Sequence, residues 1–395
     1  MKLSFSGDPD NISGEWREVS RLQNYHAVLE CIVRDGPQSQ AVIADRLSLS
    51  QASVSRAATA LMRCGLLRQV GRIGSDSGSG RRQVIMDVDP ATALVAAVQM
   101  SPDSLRLRLS NLKGEPVVEA TSAGQPTDLK DLLSRIKALL DGNLEGRGAP
   151  LVALALGMPG AWDASERQVH AIPNASFLEG VDLESAIARR LSIDVQVDND
   201  VNCAVLGEHA RGRAVGVSTY FYLNIGSGVG GGALVNGTLH RGANGFAGEV
   251  GYLPIPDGPR HVMLESLIAH AAIDAEARRS QLAPDASSLL AKIETGDAAT
   301  AAFADRLAGI VAFALASVVT VLSPELVVLG GGIGRRMGPI VPLIDKHLAQ
   351  LVRQQPAISI ASLGEDASLV GATSQALRRA RYLLVESRIP EVISH

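Results

Sequence analysis

Aromatic residues and cysteines are scarce in this chain of 395 residues. Phe, Trp and Tyr together make up 3% of it, and there are three cysteines, Cys31, Cys64 and Cys203. The cysteines do not fall at the short spacings that metal sites use. We therefore interpret them as reduced, mostly buried thiols in a cytoplasmic protein.

The sequence also shows no pattern typical of a membrane span or of an export signal. We find no apolar run long enough to cross a bilayer, and the polar N-terminus MKLSFSGDPDN does not resemble a signal peptide. We therefore expect no membrane partner. Hydrophobic residues make up 46% and charged residues 20% of the chain, which is typical of a soluble globular protein with a large core. The length predicts two or three domains.

Positive charge is scarce overall but concentrated in one region. The net charge is −4, which alone argues against a nucleic-acid partner. Between residues 36 and 86, however, seven arginines stand against two aspartates. These arginines are Arg46, Arg56, Arg63, Arg68, Arg72, Arg81 and Arg82. A local basic patch on an acidic chain favours binding to the phosphates of DNA.

The stretch 41–65, AVIADRLSLSQASVSRAATALMRCG, predicts two short helices joined by a tight turn at 48–50. Ser50 is in position to cap the second helix. This is the pattern of a helix-turn-helix, in which the second helix enters the major groove and its first residues face the bases. The predicted DNA-contacting residues of this helix are Gln51, Ser53, Ser55 and Arg56. A pair of helices in a bundle is the alternative.

The residues around this pair of helices predict a winged DNA-binding domain. A helix is expected over 16–34, and strands over 66–70 and 83–88 enclose a Gly/Ser-rich tip. Arg72, Arg81 and Arg82 lie at or near that tip, where they would hold phosphates or enter the minor groove. Solvated loop charges are the alternative. We predict a flexible tail over 1–14 and a winged helix-turn-helix over 15–90.

From residue 91 onward strands alternate with helices, which predicts an α/β architecture. Glycine-rich or polar turns follow several strands, at 157–160, 198–200, 226–232 and 330–332. Ligands bind outside the carboxyl ends of strands in such folds. A carboxylate in the Asp-Asn-Asp turn at 198–200 would serve as a general base, although a turn that caps the next helix is the alternative. The glycine run 226–232 either admits phosphate to the backbone N–H groups or only makes a tight turn.

The order of these motifs identifies a family resemblance. The motifs are GSGRRQVIMDVDP, GMPGAWD, IPNASF, VDNDVNCAVLGE, NIGSGVGGGALVNGTLHRGANGFAGEVGYLPI and PELVVLGGGIG. Together they resemble the ROK family of repressors, open reading frames and kinases, in the repressor branch that includes N-acetylglucosamine and xylose repressors. The resemblance implies a two-lobed actin-like, sugar-kinase fold (ribonuclease H-like) over 91–395. Its lobes would cover about 91–215 and 216–370, its C-terminal helix would pack back on the first lobe, and the chain would form a homodimer or homotetramer.

The resemblance also implies which residues line the cleft between the lobes. The sugar-contacting positions are Gly160, Asn174, Asn199, Asp200, Glu249 and Glu265. Asp200 occupies the position of the catalytic base of the family's kinases. Gly226, Ser227 and Gly228 match the second phosphate loop, and Gly330 and Gly331 match the glycines on the adenosine side.

The first phosphate loop departs from the family pattern. The family reads Asp-x-Gly-Gly-Thr, whereas this chain reads Gln99-Met100-Ser101-Pro102-Asp103. Gln99 removes a carboxylate that would hold Mg²⁺, and Pro102 has no N–H to donate to phosphate. Asp103 adds a negative charge where polyphosphate would lie. We therefore predict no Mg-ATP cofactor and no enzyme activity, with Asp200 a vestigial base.

The zinc site of the family is also incomplete. Tyr252 stands where many members have a histidine, and the segment before Glu265 contains no cysteine. A structural Zn²⁺ needs about four N or S ligands, so we predict no metal.

These residues predict a transcriptional regulator, a repressor of carbohydrate-related genes that binds double-stranded operator DNA and responds to a sugar or sugar-phosphate effector. The alternatives are an ATP-dependent sugar kinase with a fused DNA-binding domain and a DNA-binding protein whose pocket no longer binds a ligand.

Overall fold

The computed structural model describes residues 9–73, 83–170, 175–257 and 260–393. Its N-terminal domain has three helices and an antiparallel sheet in the order β1-β3-β2. The elements are α1 (Pro9–Asp35), β1 (Gln38–Ser39), α2 (Gln40–Leu47), α3 (Gln51–Arg63), β2 (Leu67–Ile73) and β3 (Gln83–Val88). This arrangement is a winged helix-turn-helix, which confirms the predicted fold of this part of the chain.

The first helix begins earlier than the sequence pattern suggested. Residues 9–14, which we expected in the flexible tail, belong to α1. Proline at Pro9 is compatible with a helix start, because an N–H in the first turn has no intrahelical partner. Residues 1–8 and most of the predicted wing tip, residues 74–82, lie outside the described residues.

The first lobe is built on a five-stranded mixed sheet in the order β10-β7-β4-β5-β6. Strands β4, β7 and β10 are parallel, so their carboxyl ends lie at one edge of the sheet. The elements are β4 (Leu94–Ser101), β5 (Ser104–Asn111), β6 (Pro116–Ala123), α4 (Leu129–Leu144), β7 (Leu151–Met158), β8 (Ala161–Asp163), β9 (Gln168–His170), α5 (Leu183–Leu191), β10 (Asp194–Asn199) and α6 (Asp200–Arg211).

The second lobe has its own five-stranded sheet, in the order β13-β12-β11-β16-β17, with helices that bury an apolar core against it. The elements are β11 (Tyr220–Ile225), β12 (Val229–Val235), β13 (Thr238–His240), β14 (Pro254–Asp257), β15 (Arg260–Met263), α7 (Glu265–Ile268), α8 (His270–Arg279), α9 (Ala286–Glu294), α10 (Ala301–Leu322), β16 (Leu326–Gly330), α11 (Gly331–Gly334), α12 (Val341–Leu348) and β17 (Ala357–Ile360). The last helix is α13 (Ala367–Ile393).

Two helices, α6 and α13, pack side by side between the sheets. Helix α13 lies on β4 and β7 of the first lobe, and α6 lies on β12 of the second. The backbones approach closely because both helices have glycine at the crossing. A Cβ atom at Gly371 would lie 1.7 Å from the carbonyl oxygen of Cys203, and one at Gly207 would lie 2.1 Å from that of Ala367. A larger residue at either position would force the helices apart.

The DNA-binding domain shares an apolar core with the first lobe through α13. Ile32 of α1, Leu61 of α3, Ala97 of β4 and Leu384 and Ile389 of α13 are buried in one continuous cluster. Removing this surface from water is the main favourable contribution to docking the two parts. Helix α13 is therefore a structural element of both.

Helix α10 corrects one expectation from the sequence. The segment Ala298–Leu322 is long and apolar enough to cross a membrane, judged by length and composition alone. Its buried face, which includes Phe303, Leu307, Val311 and Leu315, packs in the core of the second lobe. Core helices of globular lobes pass the same test, so this feature is weak evidence for a membrane span.

Candidate DNA-binding face and ligand cleft

The recognition helix α3 is held by its cap and by its buried face. Ser50 has extended backbone, and its hydroxyl accepts a hydrogen bond of 3.1 Å from the N–H of Ser53, as predicted for an N-cap. Val54, Ala58 and Leu61 are fully buried. The opposite face of the helix therefore points away from the domain core.

The predicted DNA-contacting residues lie on or beside this outward face. Gln51 and Arg56 are exposed, and Ser53 and Ser55 are half-buried. The guanidinium of Arg56 donates to the Ser53 hydroxyl at 3.3 Å, so Arg56 lies against the start of the helix. This is the end of a recognition helix that reads base edges.

The wing is described only in part. Arg72 is exposed on β2, whereas Arg81 and Arg82 lie outside the described residues. A groove of about 430 Å³ runs beside α3. It is bordered by residues of α1, α3 and the end of α13, among them Tyr25, Arg56 and Val392.

Helix α13 contacts the recognition helix directly. Nη1 of Arg388 donates a hydrogen bond of 3.1 Å to the carbonyl oxygen of Cys64. Cys64 is the residue that caps the C-terminus of α3. The family resemblance implied a C-terminal helix that packs back on the first lobe, but nothing in the sequence indicated this contact with the recognition helix.

A second group of contacts joins α13 to α1. The Arg381 guanidinium forms a two-pronged ion pair with Glu30, at 2.8 and 3.3 Å. The ring of His26 stacks on that of Tyr382, with centroids 5.0 Å apart. These side chains orient the DNA-binding domain on the helix.

The Asp-Asn-Asp turn lies where β10 ends and α6 begins. Asn199 caps α6, because its side-chain oxygen accepts from the N–H groups of Val201 and Asn202 at 2.8 and 3.1 Å. Its side-chain nitrogen donates to the carbonyl oxygen of Gly160 at 2.7 Å. Asn199 therefore caps the next helix, as the alternative reading of the turn predicted, and it also holds the backbone of Gly160. Gly160 has a φ of +92°, which favours glycine there.

Carboxylates of the two lobes lie close enough for their charges to interact. Burial, with the nearby charge of Glu249, raises the pKa of Asp200 to about 6. Burial and the charge of Glu265 in turn raise the pKa of Glu249. Asp200 belongs to the first lobe and the two glutamates to the second. The structure thus brings together three of the predicted sugar-contacting residues, while Asn174 lies outside the described residues.

Backbone N–H groups of the second phosphate loop already donate hydrogen bonds to acceptors within the protein. The N–H of Gly226 donates to the carbonyl oxygen of Gly228 at 2.9 Å. The N–H of Val229 donates to Glu265 at 2.8 Å, and a Cβ atom at Gly228 would lie 3.0 Å from the same carboxylate. Two backbone donors at the loop are therefore already used, and a carboxylate lies beside it.

The first phosphate loop is replaced by a hairpin turn. Ser101 pairs with Ser104, and its hydroxyl donates to the Ser104 carbonyl oxygen at 3.1 Å. The side-chain oxygen of Gln99 accepts from Arg106 at 3.4 Å. The turn borders a cavity of about 420 Å³ between the lobes. Its charged lining residues are Asp103, Arg106, Asp200, Arg335 and Glu365, so negative charges outnumber positive ones.

Asp198 forms a buried junction whose partners the sequence did not indicate. It is 1% exposed. One carboxylate oxygen accepts from Arg241 of the second lobe at 3.0 and 2.6 Å and from Gln375 of α13 at 2.9 Å. The other accepts from the side chain of Asn202 at 3.0 Å. The only signal in the sequence was its place in the Asp-Asn-Asp turn.

One group within the described ranges has metal-ligand geometry. Ligand atoms of Asp163, Glu166 and His170 lie within 4.8 Å of one another. One Asp163 oxygen already accepts from the Ser165 hydroxyl at 2.6 Å and from two backbone N–H groups. Tyr252, at the family's histidine position, is 60% exposed. The absence of zinc stays a prediction.

Comparison with known proteins places this geometry in a family. A glucokinase of Halalkalibacterium halodurans is 29% identical over 279 residues, which are 62% of this chain and 84% of the glucokinase. The xylose repressor of Bacillus subtilis is 26% identical over 241 residues, which are 60% of this chain and 62% of the repressor. The crystal structure of a ROK family transcriptional regulator, homologous to the MLC protein of E. coli, shares the fold with a TM-score of 0.80. That comparison has 20% identity and covers 94% of this chain and 99% of the other.

Relatives of this chain therefore include both regulators and kinases. Residues 20–82 match the MarR family, in agreement with the winged helix-turn-helix. Residues 95–379, well over half of the chain, match the ROK family. The chain belongs to the ROK family.

Proposed function

We propose that this protein is a transcriptional repressor of carbohydrate-related genes, which binds operator DNA and responds to a sugar or sugar phosphate in the cleft between its lobes. The observation that carries this proposal is the course of α13. The helix begins beside the cleft, where Ser368 lines the same cavity as Asp200. It ends on the recognition helix, at the contact between Arg388 and Cys64.

The chemistry of the cleft supports a polyhydroxylated ligand. Carboxylates are strong acceptors for hydroxyl donors, and Asp200 of the first lobe lies close enough to Glu249 of the second for their charges to interact, as Glu249 does to Glu265. A ligand that bonds to both lobes favours the closed arrangement by its differential affinity for the two states. Lobe closure is therefore the proposed response to sugar.

The Asp198 junction supplies a route from the cleft to α13. Arg241 lies on the loop that leads to Glu249, and its carbonyl oxygen accepts from the N–H of Ala247 at 3.2 Å. A shift of this loop moves Arg241, which is bonded to Asp198. Asp198 holds Gln375, about 20 Å along the helix from Arg388 at a rise of 1.5 Å per residue. Because α13 is packed on both sides, it transmits a displacement as a rigid body.

Repression by this route requires two copies of the chain. One winged domain reads one half-site, and two half-sites lie about 34–36 Å apart, or multiples of that, on one face of DNA. We propose that a homodimer or homotetramer sets the spacing of two recognition helices. Closure of the lobes would change this spacing and release the operator.

A sugar kinase with a fused DNA-binding domain is the second candidate. The similarity to a glucokinase favours it, and so does the raised pKa of Asp200, which suits a general base. The nucleotide side of the cleft opposes it, because Pro102 lacks an N–H and Asp103 adds negative charge there. A coupled ATPase assay over a panel of sugars decides the matter. Robust sugar-dependent turnover would replace our proposal with the kinase.

Genomic footprinting of the bound DNA is the experiment that tests the proposed regulator most directly. We expect a two-fold symmetric site near genes of carbohydrate metabolism. Gel shifts on this site with the sugars suggested by the neighbouring genes should then show a sugar-dependent loss of affinity. If DNA binds but no sugar or sugar phosphate changes either the affinity or the melting temperature, the protein is a DNA-binding protein without an effector.

A further inference from the structure

We propose that a small phosphate-bearing anion binds in a second pocket, away from the sugar cleft, where the first lobe, α13 and the DNA-binding domain meet. This pocket has a volume of about 200 Å³. It is bordered by Val33 of α1, the turn between β5 and β6, the end of α6 and the middle of α13. A ligand there would contact the sensor and the DNA-binding domain together.

The lining of the pocket is basic. Its four charged residues are all cations: Arg108, Lys113, Arg211 and Arg381. Ser374 adds a hydroxyl group, whereas the Thr373 hydroxyl already donates to the carbonyl oxygen of Leu369 at 2.8 Å. Within the described part of the chain no carboxylate borders the pocket. Cations and hydroxyls without acids are the donor set that binds phosphate oxygens.

Two of the arginines are largely buried but retain free donors. The side chains of Arg108 and Arg381 are each 10% exposed. Arg108 uses Nε and Nη2 on Glu119 and Asp366. Arg381 uses the same two nitrogens on Glu30. Among the residues that the structure describes, neither Nη1 group has a hydrogen-bond acceptor, so each can donate to an anion in the pocket.

Arg211 is the cation of this pocket that has no carboxylate partner among the described residues. Its Nη2 donates to the carbonyl oxygen of Gly114 at 2.7 Å. No carboxylate of the described ranges lies within ion-pair distance of its guanidinium, in contrast to Lys113, which is paired with Asp87 at 2.8 Å. A phosphate group in the pocket would supply the missing counter-charge and a two-pronged acceptor.

The position of the pocket gives such an anion a regulatory effect. Arg381 already joins α13 to Glu30 of α1, so an anion beside it would tie the same helices to Lys113 and Arg211 of the first lobe. A ligand that binds only the docked arrangement stabilises it by mass action. The anion would therefore hold the DNA-binding domain in its docked position and change operator affinity, independently of the sugar cleft.

Titration of the full chain with inorganic phosphate, and separately with glucose 6-phosphate, tests the proposal. Binding is followed by calorimetry and by the melting temperature at constant ionic strength. We expect saturable binding in the wild type and about tenfold weaker binding in Arg211→Gln, because one charge-assisted contact is lost. Arg213→Gln, an exposed arginine two residues further on, should bind as the wild type does.

Two further variants separate this pocket from the other anion-binding surfaces. Asp200→Asn changes the sugar cleft and Arg56→Ala changes the DNA-binding face, and both should bind phosphate as the wild type does. Tighter binding of glucose 6-phosphate than of phosphate, lost in Arg211→Gln, would identify a phosphomonoester as the ligand; equal binding would identify free phosphate. Equal affinity in the wild type and Arg211→Gln, or loss of binding in Asp200→Asn or Arg56→Ala alone, would overturn the proposal.

Discussion

Nη1 of Arg388 lies 3.1 Å from the carbonyl oxygen of Cys64, which is the C-cap residue of the recognition helix α3. A cation at the C-terminus of a helix also interacts favourably with the helix dipole. This contact fixes the recognition helix to the end of α13. The orientation of α3 toward DNA is thus set partly from outside its own domain.

We expect Arg388→Ala to weaken operator binding about three- to tenfold, because the recognition helix loses a charge-assisted hydrogen bond at its C-terminus. Sugar binding should not change, since the cleft lies at the other end of α13. Arg378→Ala is the matched control, because Arg378 is exposed on the same helix. Fluorescence anisotropy with labelled operator measures both. Equal affinities for the two variants would remove α13 from the positioning of α3.

The bond between Gln375 and Asp198 predicts a separation of binding from response. In Gln375→Leu the route from the cleft to α13 is interrupted, while Asp198 keeps its ion pair with Arg241. We expect sugar affinity and sugar-free operator affinity to stay within about threefold of the wild type. The sugar-dependent change in operator affinity, a coupling of typically 1–3 kcal/mol, should largely disappear.

Gln355→Leu is the control for this variant, because Gln355 donates to a backbone carbonyl on the exposed surface of the second lobe. Operator titrations with and without saturating sugar give the coupling for all three proteins. A normal sugar response in Gln375→Leu would show that α13 receives its signal elsewhere. A loss of sugar binding itself would indicate instead that the substitution disturbs the cleft.

Much of the fold could be predicted from local patterns. The cap at Ser50 and the buried positions of α3 follow from residue spacing alone, and the structure agrees with them. The predicted start of α1 was wrong. Gly, Pro, Asp and Asn near the N-terminus suggested a flexible tail, but proline is compatible with the first turn of a helix. The expectation that no apolar run is long enough to cross a bilayer was also wrong, because Ala298–Leu322 meets that test by length and composition.

The contacts of the candidate site were harder to predict, because they join residues far apart in the chain. Asn199 and Asp200 were placed in the sugar site by the family resemblance, whereas Asp198 was noted only as part of the Asp-Asn-Asp turn. The contacts of Asp198 could not be predicted, since its partners Arg241 and Gln375 come together only when α13 is packed against the cleft. A single sequence carries no signal for such pairs. The same reasoning applies to Arg388 and Cys64.

The DNA-binding face predicts two different effects of removing arginine. Arg56→Ala should cost about 1–3 kcal/mol on the operator and little on unrelated DNA, because Arg56 lies at the base-reading end of α3. Arg72→Ala should weaken binding to all sequences by a similar factor, as expected for a phosphate contact. The slope of the logarithm of the binding constant against the logarithm of salt concentration should fall by about one. Gel shifts over a salt series distinguish the two patterns. If both variants bind as the wild type does, the face is misassigned.

The raised pKa of Asp200 predicts how stability depends on pH. Its pKa is about 6 in the folded chain and about 3.9 in an unfolded one, so the folded state binds the proton more tightly. The protonated group contributes fully to the free energy of unfolding below about pH 4, and this contribution is lost as the pH rises to about 6. Asp200→Asn, which stays neutral, should therefore match the wild type at pH 4 and exceed it by about 1–3 kcal/mol at pH 7.

Urea unfolding of both proteins between pH 4 and 7 measures this difference, and Asp103→Asn is the control, because Asp103 is exposed at the rim of the same cleft. A pH-independent difference would mean that Asp200 does not titrate in this range. The pH dependence of sugar affinity should be opposite to that of stability, because hydroxyl donors favour the ionised carboxylate of Asp200. Sugar affinity should therefore rise with pH up to about 6 in the wild type and lose this dependence in Asp200→Asn.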